Sequence, residues 1–402
     1  MKIATAQVIL ASPGRNFVTL KLTTDDGLVG WGDATVNGRE LAVASYLRDH
    51  VAPLLPGRDA HRIEDTWHYL YLGAYWRRGP ITMAAISAVD IALWDIKAKA
   101  AGLPLYQLLG GASRDSIRAY GHAFGRDIPE LLDSVRASLE RGHTAVRVQA
   151  GVPGLHRVYG VAAGLAYEPA DGSGRPVEED WDSRRYVRHI PRVLGAVREE
   201  FGDDIDLLHD VHHRLNPVQA AKLAHALDEF DLFWLEDITG SDAPESYRLI
   251  RQHSTVPLAT GETFNSWTDY AALVRDHLID FIRSGVPHAG GITAVRKISE
   301  LAAAADVQTG FHGPTDISPI GLAAALHLDL ALHNFGIQEH MQHTALTLDA
   351  FPHDFSFADG SFALGDSPGL GASLDEDLAG RFPYTPAYLP VNRLADGTIH
   401  DW

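Results

Sequence analysis

The sequence predicts an α/β chain: a modified TIM-type (β/α) barrel with an N-terminal α+β capping domain that the C-terminal tail completes. Three observations lead there. Between Ile117 and Glu339, eight short apolar runs alternate with helical runs, as repeated βα units do. The first 112 residues read instead as strands followed by helices. Finally, Asp210, Glu236 and Glu262 each follow an apolar run, at two equal intervals of 26 residues. That spacing is about one strand, one helix and a return loop.

In the capping region, residues 1 to about 36 read as strands. Phe17–Leu22 alternates, Asp25-Asp26-Gly27 is a turn, and Leu28–Trp31 resumes the strand. From Arg39 to about Leu109 the pattern is helical. Its clearest stretch, Thr82–Ala100, is rich in Ala, Ile and Leu and stops at Gly102, with Pro104 beyond. Gly110-Gly111 marks a boundary. The expected domains are therefore residues 1–112, a barrel over 113–349, and a segment 350–402 packing back on the cap.

The barrel strands are expected at Ile117–Ala123, Ala145–Gln149, Ile205–Asp210, Leu232–Glu236, Val256–Thr260, Leu278–Arg283, Val307–His312 and Phe335–Glu339. Helical runs such as Pro217–Leu227, Ala294–Ala304 and Ile320–Leu332 separate them. One connection is too long. Between Gln149 and Ile205 lie about thirty residues more than a βα unit needs. This insertion, at about 150–185, is polar, punctuated by Gly and Pro, and placed at the C-terminal side of its strand. Long loops there serve as lids or partner contacts.

Composition narrows the function. Hydrophobic residues make up 46% and the formal charge is −18, the profile of a soluble globular protein with no nucleic-acid partner and no attraction to anionic membranes. An anionic substrate would need Arg, His or metal charge close by. The chain has no Cys, which excludes disulfides, thiolate ligands and Cys nucleophiles. Met-Lys-Ile-Ala-Thr-Ala-Gln carries no signal pattern, and no apolar run is long enough to span a bilayer. A cytoplasmic enzyme acting on a small molecule is expected, as a symmetric homo-oligomer.

Parallel barrel strands present their C-terminal ends side by side, so Asp210, Glu236 and Glu262 should converge. Three like charges converge stably around a cation, and hard oxygen donors favour Mg²⁺ over zinc. Taken singly, each acid also reads as a helix N-cap or a solvated loop residue. Recurrence at one level favours the metal. Other strand ends add Arg147 and Gln149, His212, Arg283, His312 with Asp316, and Glu339. His212 and His213 are adjacent, so at most one faces the metal.

These stretches resemble the enolase superfamily, in its mannonate dehydratase branch of acid-sugar dehydratases. The matching motifs run nearly end to end. They include Gly32-Asp-Ala-Thr-Val-Asn37-Gly-Arg-Glu, Gly73-Ala-Tyr-Trp-Arg-Arg-Gly-Pro, Leu208-His-Asp-Val-His-His-Arg, Phe233-Trp-Leu-Glu-Asp and Asn334-Phe-Gly-Ile-Gln-Glu. The resemblance implies that Asp210, Glu236 and Glu262 bind one Mg²⁺. It implies Tyr159, in the insertion, as the base that removes the C2 proton, with Arg147 as the cation favouring its phenolate. His212 would protonate the departing C3 hydroxyl. Asn37, His122, Glu262, Arg283, His312, Asp316 and Glu339 match the branch's substrate contacts.

The implied reaction converts D-mannonate or D-gluconate to 2-keto-3-deoxy-D-gluconate. Two alternatives are a diverged member acting on another acid sugar and a metal-binding or regulatory protein with little turnover. Racemases of this superfamily carry Lys-x-Lys or Lys-x-His on the second strand. Here it reads Arg147-Val148-Gln149, and Asp280 lies at the wrong end of its strand to pair with His312. Pro314 stands between His312 and Asp316, where some members carry Ala, and it restricts the loop that bears both.

Overall fold

Strands β1 (Ile3–Ala11), β2 (Phe17–Thr24) and β3 (Val29–Asp33) form an antiparallel sheet at the start of the chain, with Ile9 opposite Thr19 and Leu20 opposite Gly32. The computed structural model to which they belong describes residues 1–155, 176 and 178–401. Gly27, at φ +88°, supplies the left-handed turn between β2 and β3. Helix Pro80–Ala101 lies on this sheet so closely that a Cβ on Gly30 or Gly32 would meet the Ala92 or Ala88 carbonyl oxygen at 2.1 and 1.9 Å. Pro80 in its first turn and Gly102 at φ +68° delimit the helix. It is buried along most of its length because barrel helix Gly291–Ala303 covers its other side.

That interface holds a buried acid. Asp90 accepts from the Thr293 amide at 2.9 Å. Burial outweighs this bond and raises its pKa to about 7. A carboxyl raised in the folded state binds its proton more tightly there than when unfolded. Stability therefore falls as pH rises from about 4 to about 7 and levels off above. Asp90→Asn keeps the acceptor and removes the charge. Melting curves from pH 5 to pH 8 should show the variant gaining on the wild type by about a degree or more. Parallel curves would refute the assignment.

The next strands are β4 (Ile117–Gly125), β5 (Ala145–Ala150), β6 (Glu178–Asp180), β7 (Asp206–Asp210), β8 (Trp234–Glu236), β9 (Leu258–Thr260), β10 (Phe281–Ile282), β11 (Gln308–Thr309) and β12 (Gln338–Glu339). All but β6 lie in one sheet, parallel and in chain order from β4 to β11. β12 pairs in parallel with β4, while Phe335 just before it bridges Thr309 of β11. Residues 334–339 thus touch both ends of the sheet. Several strands are shorter than their apolar runs. Pro257 has no amide to donate, and at Arg283 and His312 the side chains lie just past the last paired residues.

Helices Pro217–Leu227 and Pro319–Ala331 begin at Asn216 and Ser318, whose side chains cap them. The hairpin β13 (Ser356–Ala358) and β14 (Ser361–Ala363) adds antiparallel to the start of β4. The rest of the tail divides. Residues near 370–385 bond to the cap, through Ser12 amide to Phe382 carbonyl (2.7 Å), Leu370 amide to Asp95 (2.9 Å), and the Lys21–Glu376 ion pair. Its last stretch does otherwise. Strand β15 (Val391–Arg393) pairs in parallel with β6, the described end of the insertion, and β16 (Ile399–His400) adds antiparallel to the other side of β15. No helix among the described residues is long and apolar enough to cross a membrane.

Candidate active site

At the C-terminal ends of β7 and β8 the chain places Asp210 and Glu236, and Arg147 lies in the middle of neighbouring β5, all three buried. Parallel register puts Asp210 directly beside Glu236. Arg147 donates to Asp210 at 2.7 Å and stands 3.9 Å from both Glu236 and Glu339. Arg283 donates to Glu236 at 2.5 Å and to Glu339 at 2.7 Å. Two buried guanidinium groups therefore neutralise a cluster of acids that could not stay ionised alone. Burial still pushes Glu236 well above the usual carboxylate range, against the pull of Arg283. For Asp210, His212 and Arg147 overcome burial and hold the pKa well down.

The turn after β7 is backbone-strained. His212 and His213 sit at φ 52° and 59°, and Asp237 after β8 at φ 40°, a region non-glycine residues seldom occupy. Hydrogen bonds fix it: His212 amide to Asp210 Oδ1 (2.8 Å) and His213 amide to the Asp237 carbonyl (2.7 Å). The two imidazoles then diverge, as adjacent side chains should. Nε2 of His212 lies 2.8 Å from Asp210 Oδ2, and its Nδ1 accepts from Arg214 at 2.9 Å. His213 instead reaches Asp237, 3.5 Å away. Burial disfavours its protonation, but Asp237, Glu262 and Asp210 raise its pKa to about 9.

Glu262 follows β9 and faces His312, whose Nδ1 lies 3.1 Å from Oε2. Burial opposes a charge on His312, yet Glu262 prevails and raises its pKa to about 9. Its Nδ1 is also 3.6 Å from Glu339, and its Nε2 is 3.9 Å from Asp316. His122 on β4 approaches Glu339 at 3.0 Å, with burial lowering its pKa to about 4. Asn37 lies in the cap, in the turn before helix Glu40–Tyr46. Tyr159 lies outside the described residues.

Among the described residues, donor atoms within 4.8 Å of one another occur in two sets, Asp210–Glu236–Asp237 and His213–Asp237–Glu262. The first is all oxygen and buried, which fits a hard divalent cation. The second mixes an imidazole nitrogen with two carboxylates, a softer donor set. Asp210 and Glu236 thus meet as expected, whereas Glu262 is turned toward His312. Asp237 and Arg214 were not expected here. Asp237 directly follows Glu236, and strand alternation would turn it away from its neighbour's side; only the left-handed backbone brings it back. Arg214 stacks on Trp181 at 4.7 Å, a contact between segments that sequence spacing cannot reveal.

The chain matches the mandelate racemase/muconate lactonizing enzyme N-terminal domain over residues 5–110 and the enolase C-terminal domain-like family over 130–378. It belongs to the enolase superfamily. A D-mannonate dehydratase from Rhizorhabdus wittichii is 58% identical over 403 residues, covering all of both chains. A D-galactonate dehydratase family member from Pseudarthrobacter chlorophenolicus is likewise 58% identical over 409 residues, again end to end. The crystal structure of an enolase from Pantoea ananatis, with bound D-gluconate and Mg, superimposes with a TM-score of 0.92 at 37% identity and full coverage of both chains. This enolase-superfamily member is accordingly an enzyme, a dehydratase, with the cap-and-barrel architecture the sequence predicted.

Proposed function

We propose that the protein dehydrates a sugar acid, D-mannonate or D-gluconate, to 2-keto-3-deoxy-D-gluconate with one Mg²⁺ per subunit. One observation carries the reading: Asp210 is bonded at once to Arg147 and His212, with Glu236 beside it. The groups assigned to metal binding, base activation and acid catalysis thus meet at one carboxylate. The names of the dehydratase relatives and the gluconate and Mg bound by the Pantoea structure support the substrate class and the ion.

Asp210, Glu236 and Glu262 would hold Mg²⁺, which when bound supplies positive charge opposite the substrate carboxylate. Tyr159, as phenolate, takes the C2 proton, and Arg147 favours that ionised form. His212, as imidazolium, gives a proton to the C3 hydroxyl, which leaves as water, and returns to neutral imidazole. The resulting enol takes up a proton at C3 and becomes the 2-keto acid. Asn37, His122, Arg283, His312, Asp316 and Glu339 bind and orient the substrate. Arg147 Nε and Gln149 Oε1, buried and without hydrogen-bond partners among the described residues, are available to its oxygens.

Proton NMR in D₂O, with Mg²⁺ and a panel of hexonates, tests this directly. Mannonate or gluconate should lose its C2 signal as the C3 signal of a 2-keto-3-deoxy product grows upfield. Loss of the C2 signal without elimination would support the base and remove His212 as the acid. No change with any hexonate would overturn the reading.

A further inference from the structure

The segment bearing His312 and Asp316 is held at both ends, from two different domains. At the barrel end, the Gly313 amide donates to Glu339 at 2.9 Å. At the other end, the Ser318 amide donates to Asp33 Oδ2 at 2.7 Å. Asp33 closes cap strand β3 and is fully buried. Its other oxygen accepts from the Thr35 amide at 2.8 Å. The carboxylate lies over the first turn of helix Pro319–Ala331, so close that a Cβ on Gly321 would come within 2.7 Å of Oδ2. Backbone amides and the positive end of a 13-residue helix stabilise a charge there.

Two further bonds join the same surfaces. Arg15 donates to Thr315 Oγ1 at 3.1 Å. The Thr35 carbonyl bonds to Nε2 of His288, whose ring centroid is 6.1 Å from that of His312. The cap side is stiff. Thr35 Oγ1 accepts from the Val18 amide at 3.0 Å, and the Ala34 amide bonds to the Val18 carbonyl at 2.8 Å.

We propose that Asp33 is a positioning residue that sets the placement of His312 and Asp316, and through them discrimination at the substrate carbons remote from C2 and C3. This rests on the function proposed above, because Asp316 and His312 matter here as substrate contacts. Helix capping alone would make Asp33 a contributor to stability. The difference is the intervening segment: Gly313 to Ser318 runs between two anchors, and Asp33 holds its Ser318 end to the cap while Arg15 meets it midway at Thr315. Releasing that anchor frees Asp316 while leaving Asp210, Glu236 and His212 untouched.

The test uses Asp33→Ala and the milder Asp33→Asn in the full chain with Mg²⁺. Kinetics are compared for the hexonate that the wild type turns over and for the four-carbon acid of the same C2 and C3 configuration, which lacks the distal hydroxyls. The expected result is a loss of about tenfold or more in kcat/KM for the hexonate, mostly in KM, with little change for the four-carbon acid. Mg²⁺ affinity should not move, and Asp33→Asn should fall between. Equal losses on both substrates, or none, would overturn the inference. Amide hydrogen exchange of residues 312–320 gives a readout independent of turnover. Faster exchange in Asp33→Ala upholds the anchor even if no hexonate is dehydrated, an outcome that would sink the proposed function alone; unchanged exchange overturns the anchor.

Discussion

Replacing Tyr159 with Phe should stop exchange of the substrate C2 proton with solvent and lower turnover by about 10³-fold or more, with Mg²⁺ affinity unchanged. The change removes the phenol oxygen and leaves the carboxylates proposed to hold the ion, Asp210, Glu236 and Glu262, in place. A phenol ionises near pH 10 in water, so a base of this kind needs a neighbouring cation. Arg147 is buried and held in its charged form, burial being outweighed by Asp210 and the nearby acids. His212→Gln makes the complementary case, with C2 exchange continuing while water is no longer eliminated. The two variants together separate base from acid in one NMR experiment. Exchange that survives in Tyr159→Phe would remove Tyr159 from the mechanism.

Asp210→Asn should weaken divalent-ion binding by about 100-fold or more, and abolish turnover with it. Asp210 is the carboxylate on which Arg147 and His212 both converge. Asn preserves the volume and one oxygen but removes the charge that balances Arg147. Truncating one partner of a buried pair costs about 3–5 kcal/mol, so some loss of stability accompanies the variant. Titration calorimetry with Mg²⁺ on the folded variant, checked by circular dichroism, measures the effect. Wild-type affinity would mean that the ion binds elsewhere.

Much of this architecture was legible because it depends on short-range pattern. Alternating apolar runs, the Asp25-Asp26-Gly27 turn and the helix stop at Gly102 all act within a few residues. The equal spacing of Asp210 and Glu236 carried over into space because parallel strands in register transmit it. What escaped was decided after the strands end. The left-handed backbone at His212, His213 and Asp237 breaks the alternation rule, so Asp237 joins the cluster against expectation. The contact between Glu262 and His312, 3.1 Å apart, joins residues fifty positions apart.

By itself, then, the sequence determined the repeating βα units, the cap, and which polar residues fall at strand ends, since each follows from local propensity and period. Tertiary structure alone decided which of those residues touch. Arg283 joins Glu236 to Glu339 across strands more than forty residues apart in sequence. Asp33 reaches Ser318 from another domain, 285 residues away. The final strands β15 and β16 form a small sheet with β6, in which β15 pairs with β6 and β16 with β15. Such contacts depend on how surfaces pack and how buried charges find partners, and no spacing along the chain encodes them.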